Sequence, residues 1–178
     1  FGGIIGAFVE NPLLIGISAI DTTEGEIEFI SAEGNLGSDG VVRQDMDKHT
    51  VHFEDGDWSA APYFAASTEW LLIVYEAIGS PTTKIPLHDV DFEGTFNADA
   101  TLLGGGRLTG LVDTRHMGPL IGLGSHASAW CDSMMDFGLP CIGCGDGHAT
   151  CIYMDAYFDD APLVDGLTMV PVTTGSYD

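Results

Sequence analysis

Four cysteines, Cys131, Cys141, Cys144 and Cys151, fall within 21 residues of a 178-residue chain. An even, clustered set of this kind reads as disulfides or as a zinc site. Structural zinc sites pair two C-x2-C units, or one with a pair of His. Here Cys141-Ile-Gly-Cys144 stands alone, and neither His126 nor His148 falls at a spacing common in such sites. The residue after Cys144 is Gly rather than His, which removes haem attachment. The pattern favours two disulfides over zinc and, with them, an oxidising compartment: periplasm, cell surface or medium. Of the three connectivities, the shortest loops pair Cys131 with Cys141 and Cys144 with Cys151.

Carboxylates are the second chemical signal. Asp45-Met-Asp47-Lys-His49 opens like an EF-hand loop but lacks its Gly at position six and its Glu at position twelve. Glu54-Asp55-Gly56-Asp57 adds three acids close by. Asp45, Asp47, Glu54, Asp55 and Asp57 are therefore the candidate Ca2+ ligands, and solvated acidic turns are the plainer reading of the same residues. Asp159-Asp160 is the kind of pair that acid–base hydrolysis uses, but among 27 acids such a pair carries little information. The six His are scattered: His49 and His52 take opposite faces on a strand, and only folding could gather His88, His116, His126 and His148. Asp113-Thr114-Arg115-His116 is a compact polar cluster at a strand end. It reads as a ligand-binding corner, a buried Asp–Arg pair, or a local salt bridge, the last being the simplest.

Signatures of other chemistries fail. Gly16-Ile-Ser18-Ala-Ile20 lacks the final Gly of a nucleophile elbow. Gly104-Gly-Gly-Arg-Leu-Thr-Gly110 has no P-loop Lys, and no H-E-x-x-H occurs. The charge sets further limits: 27 Asp+Glu against five Lys+Arg give a net −22. Arg43, Lys48, Lys84, Arg107 and Arg115 are too few and too dispersed for nucleic acid or for a polybasic contact with anionic lipid. At 45% hydrophobic residues the chain is not an acidic disordered tail. The charge reads chiefly as a solubilising coat.

The elements that must position these residues are mostly strands. Asp outnumbers Glu by 18 to 9 and Gly reaches 24, a composition suited to turns. Residues 25–31 alternate with Ile27 and Phe29 on one face, and short strands follow at 41–42 and 50–53. Glu69 to Tyr75 reads as a strand buried on both faces, ended by Ser80-Pro81. Residues 85–114 read as a hairpin: Val90, Phe92, Gly94, Phe96 and Ala98 share a face, and Gly104-Gly-Gly106 supplies the reversal. Ala127, Trp130, Cys131 and Met134 then fall at helical spacing. That predicts a helix over 125–138, with Ser125 as N-cap, Gly138 as C′ and Cys131 facing inward. Met117 to Gly124 adds a short helical turn. Cys151 to Phe158 alternates as a late strand, and 164–172 suggests another.

The chain opens on Phe rather than Met, as a processed product or fragment would. Residues 1–20 form an apolar segment broken by Glu10-Asn-Pro12, and each half is too short to span a bilayer. That segment is expected to pack on the core or on a partner.

Gly94-Thr-Phe-Asn-Ala-Asp99, Leu108-Thr-Gly-Leu-Val-Asp-Thr-Arg115 and Gly138-Leu-Pro-Cys141-Ile-Gly-Cys144, with Cys151 beyond, together resemble pieces of secreted and lipoprotein-like proteins of myxobacteria and their relatives. The resemblance covers about a third of the chain. It implies an exported, disulfide-stapled β fold, and it implies no activity or site residue.

The expectation is a single mainly β domain over 1–178, an antiparallel barrel or sandwich with one disulfide-stapled helical insert. In function it is a non-enzymatic exported protein, a structural or accessory subunit of a cell-envelope or surface assembly. Its partner is a protein or a second copy, contacted through residues 1–20; nucleic acid and a transmembrane segment are not expected, nor any cofactor beyond Ca2+. The alternatives are a small-ligand or metal-binding β-barrel with His and carboxylates at its rim, and a hydrolase with an unrecognised site.

Overall fold

A computed structural model of the chain describes residues 12–75, 83–162, 164 and 166–173. The apolar run 1–9, the Ser80-Pro81 turn and the Asp159 side chain lie outside the described residues. Among the described residues there are eight strands: β1 (Leu13–Asp21), β2 (Glu26–Leu36), β3 (Val42–Gln44), β4 (Val51–Asp57), β5 (Tyr63–Tyr75), β6 (Thr83–Phe96), β7 (Leu102–Asp113) and β8 (Cys151–Pro162). Between β7 and β8 lie a 3-10 turn (Gly118–Ile121) and one helix, α1 (Ala129–Met135). The mainly β antiparallel class with a single stapled helix is as expected. The strand order is β1-β2-β4-β5-β6-β7-β8 with β3 paired to β2, an open sheet rather than a closed barrel among the described residues.

The described residues pack as two compact units, one of residues 69–75, 83–90 and 109–156, the other of 12–68, 91–108, 157–162, 164 and 166–173. The division falls inside β5, β6, β7 and β8, so each of these strands supplies residues to both units.

The second unit is built on aromatic packing. Phe29, Phe53, Phe64 and Phe92, from four strands, are almost wholly buried. Phe29 lies 4.7 Å from Phe64 and 5.6 Å from Phe92 between ring centroids, and Phe64 lies 5.0 Å from Phe92. These are the tilted and edge-on geometries that the ring quadrupole favours. Gly94 makes room for them, because a Cβ there would sit 3.2 Å from the Phe64 ring. The first unit packs Leu71, Ile85, Leu87, Val112, Met117 and Trp130 inward.

Several expected elements are shifted. The hairpin of β6 and β7 exists, but its reversal is at Asn97–Thr101, where the Asn97 amide donates to the Leu102 carbonyl at 3.0 Å. The Asn97 side-chain oxygen accepts from the Thr101 and Leu102 amides. An Asx-type turn thus outcompetes three glycines, and Gly104–Gly106 lie inside β7. Along β6 the buried positions are Thr83, Ile85 and Leu87, then Val90, Phe92 and Gly94. The alternation changes phase at Asp89, whose φ is 49°, as an inserted bulge residue requires. In β5, Leu71 is buried but Glu69 is exposed and Trp70, Leu72 and Ile73 are half-buried, so this strand is not covered on both faces.

The helix is shorter than its apolar period. Ser125 does not cap it: α1 starts after Ser128, and Ala127 is exposed. Its C-terminal end is as expected. Gly138 takes φ 73°, its amide donates to the Met135 carbonyl, and the Leu139 amide reaches back to Met134; this is the Schellman pattern. Of the segment 164–172, the described residues 164 and 166–172 are not in a strand. Its end is held by side chains: the Gln44 amide donates to the Val170 carbonyl at 2.7 Å and accepts from the Val170 amide at 2.8 Å. Thr50 Oγ1 accepts from the Val172 amide at 3.0 Å.

Candidate functional site

The cysteine region of the first unit is a stapled corner. The disulfides are Cys131–Cys141 and Cys144–Cys151, with Cα separations of 5.6 and 5.1 Å, the pairing of shortest loops. Cys131 is buried beside Trp130, so the first staple ties α1 to the loop. The second ties that loop to the start of β8, where Ile142 and Cys151 also exchange backbone hydrogen bonds of 2.7 and 3.0 Å.

The end of β7 completes the corner. Thr114 is fully buried; its hydroxyl donates to the Thr150 carbonyl at 2.6 Å and lies 3.2 Å from Cys131 Sγ. Asp113, 2% exposed, takes Arg115 through two atoms, Nε at 2.8 Å and Nη2 at 2.5 Å. The same Nη2 reaches Asp146 at 2.9 Å. Asp113 and Arg115 thus form a local salt bridge at the end of β7, two residues apart, with the carboxylate buried and the guanidinium partly exposed. The His148 backbone amide, donating at 3.0 Å, is the largest cause of an Asp146 carboxyl held below the usual carboxylate value, and Arg115 adds to it.

Asp113, Cys144 and Cys151 place ligand-type atoms within 4.8 Å of one another, all buried. Both sulfurs are committed to the disulfide and the carboxylate to Arg115, so this trio suits a structural role rather than a metal. The five proposed Ca2+ ligands all lie in the second unit. Among the described residues, no three of them bring carboxylate oxygens within 4.8 Å of one another. Ile27 faces Gly56 while Phe29 faces Phe53, so β4 carries one residue more than β2 between these pairs. Asp55, at φ 55°, lies in this bulge. Asp45 accepts from the Asp47 amide at 2.9 Å and Asp57 from the Ser59 amide at 2.8 Å, each closing its own turn.

Two surface features were not read from the sequence. In the first unit, Met135, Phe137, Leu139 and Ile142 all stay exposed, Phe137 at 75% and Met135 at 61%. They follow one another through the turn that the staples and the Schellman bonds hold in place. Asp132, Asp136 and Asp146 are exposed nearby in the chain. In the second unit, four side chains on β5, β6, β7 and β8 form a row. The Tyr63 hydroxyl donates to Glu93 at 2.7 Å, Arg107 donates to the other Glu93 oxygen at 3.2 Å, and the Arg107 guanidinium stands 5.5 Å from the centroid of the Tyr157 ring. The Glu93 carboxylate pushes the Tyr63 phenol above its ordinary value. Tyr63 and Glu93 are thirty residues apart, so only strand order brings them together; alternation within β6 was the one sequence signal, placing Glu93 outward.

No family model, curated protein or solved structure matches the chain. Among the described residues no helix is long and apolar enough to cross a membrane.

Proposed function

We propose that this is an exported, non-enzymatic accessory subunit of a cell-envelope or surface assembly, and that it docks a partner protein on its stapled corner. The observation that carries this reading is that Met135, Phe137, Leu139 and Ile142, all within eight residues of sequence, stay exposed on backbone fixed by two disulfides. Grouped exposed apolar side chains mark interaction surfaces, and a rigid mount lowers the ordering cost of binding. The flanking Asp132 and Asp136, both exposed, favour a partner with Lys or Arg around an apolar centre. The net −22 weighs against a second copy as the occupant. Disulfides support export, since they persist in oxidising compartments. Among the described residues β1 ends the strand order, and with Ile17 and Ile20 exposed it offers a second contact.

Site-specific photocrosslinking in the native host tests the docking. A crosslinker at position 137 or 139 is expected to give one discrete protein adduct, absent when the same group replaces exposed Ser59. Equal adducts at all three positions, or none at 137 and 139, would overturn the reading.

A further inference from the structure

The row Tyr63–Glu93–Arg107–Tyr157 lies on four consecutive strands. Three strand spacings give it a span of roughly 14 Å. Its members order one another: Glu93 holds the Tyr63 hydroxyl and one arm of Arg107, and Arg107 stands over one face of Tyr157. Tyr157 nevertheless remains 71% exposed.

We propose that this row binds a neutral polysaccharide chain. A sugar ring has a face of C–H groups that stacks on a phenol and a rim of hydroxyls that hydrogen-bonds to carboxylate, guanidinium and phenol oxygens. The row supplies both kinds of group, a ring at each end and an acid and a base between them. Arg107 offsets the Glu93 charge at the centre, and the −22 of the whole chain repels anionic polymers. Neutral sugar is the complement of both. Protein-binding Tyr and Arg anchors enter pockets of a partner, whereas Tyr63 and Arg107 are tied down to Glu93. Mutual ordering of the four side chains before binding reduces the entropy lost with the ligand.

Affinity electrophoresis of the full chain in native gels containing laminarin, mannan or xyloglucan tests the proposal, with carboxymethylcellulose and chitosan oligomers as charged comparisons. At least one neutral polymer should retard the protein. Tyr157→Ala and, separately, Tyr63→Ala should weaken that retardation at least tenfold, while Tyr153→Ala, an exposed tyrosine of the other unit, should leave it unchanged. Tyr157 is exposed enough that its variant keeps the fold, so it decides the matter even where Tyr63→Ala does not. Retardation by none of the neutral polymers, retardation only by a charged one, or equal retardation of Tyr157→Ala and the parent protein would each overturn the proposal. So would a crosslinker at position 157 that captures a protein in place of glycan binding.

Discussion

Arg115 donates to Asp146 at 2.9 Å while its other contacts lock it onto buried Asp113, so one guanidinium joins the end of β7 to the cysteine loop. Arg115 is only 28% exposed, and removing one member of a buried pair strands the other's charge. Arg115→Met is therefore expected to cost about 3 kcal/mol. Urea denaturation at neutral pH checks this. Arg43→Met, which breaks the exposed pair with Asp39, should change the midpoint little.

The two staples close loops of similar length, spanning 10 and 7 residues of sequence. Chain entropy alone assigns each about 2.5 kcal/mol. Burial separates them: Cys144 and Cys151 are both buried, whereas Cys141 is half-buried. The Cys144→Ala/Cys151→Ala pair should therefore lose about 1 kcal/mol more than Cys131→Ala/Cys141→Ala, through lost packing. Denaturation of the two double variants side by side decides it, and equal losses would count against the packing difference.

Local signals were legible in this chain and relationships between strands were not. Cysteine spacing found both bridges because short loops are a local property. Alternation found β2, β6 and β8, and Gly138 marked the end of α1. The reversal at Asn97 was missed because glycines permit a turn without requiring one, while an Asn side chain that satisfies two amides stabilises it. The Ca2+ reading gathered acids by proximity in sequence; in the structure Asp55 lies in the β4 bulge, and Asp45 and Asp57 each close a turn of their own. The Tyr63–Arg107 row was invisible because its members meet only through the order β5-β6-β7-β8. Gln44 likewise shows nothing in sequence of its bond to Val170, 126 residues away.

Asp146 gives a pH signature. Its carboxyl is held below the ordinary 3.8, chiefly by the His148 amide. A depressed folded value means that the stabilisation is present above the unfolded value and lost as pH falls through the folded one. The difference in melting temperature between the parent and Asp146→Asn should thus be full at pH 6, begin to shrink near pH 4 and vanish in stronger acid. Melts at pH 6, 4 and 2 read it out. A gap that persists undiminished at pH 2 would show that the charge is not its source.

Gln44 substitutes for a strand partner by offering its amide to both backbone groups of Val170. Gln44→Ala leaves those groups to water and should raise hydrogen exchange at the Val170 amide at least tenfold, consistent with the loss of about 1–2 kcal/mol from two hydrogen bonds. Thr50→Val should do the same at Val172, whose amide bonds to the Thr50 hydroxyl at 3.0 Å. Global unfolding should be less affected, because the segment is not part of the sheet. Exchange that accelerates equally across β2 and β4 would place the loss in the core instead.

Ala100 occupies the Asn97–Thr101 reversal at φ 56°. A non-glycine residue there carries a steric cost of about 1–2 kcal/mol. Glycine removes that cost but adds freedom to the unfolded chain, which takes back part of the gain. The net expectation for Ala100→Gly is a stabilisation of about 0.5–1 kcal/mol, unusual for a substitution to glycine. Ala100 is exposed, so no packing is lost to confuse the sign. Gly56→Ala is the opposite case: its Cβ would sit 2.5 Å from the Ile27 carbonyl oxygen, a backbone group that cannot move without breaking the β2–β4 ladder. That variant should lose several-fold more stability than Ala100→Gly gains, and thermal melts of the two against the parent test both signs at once.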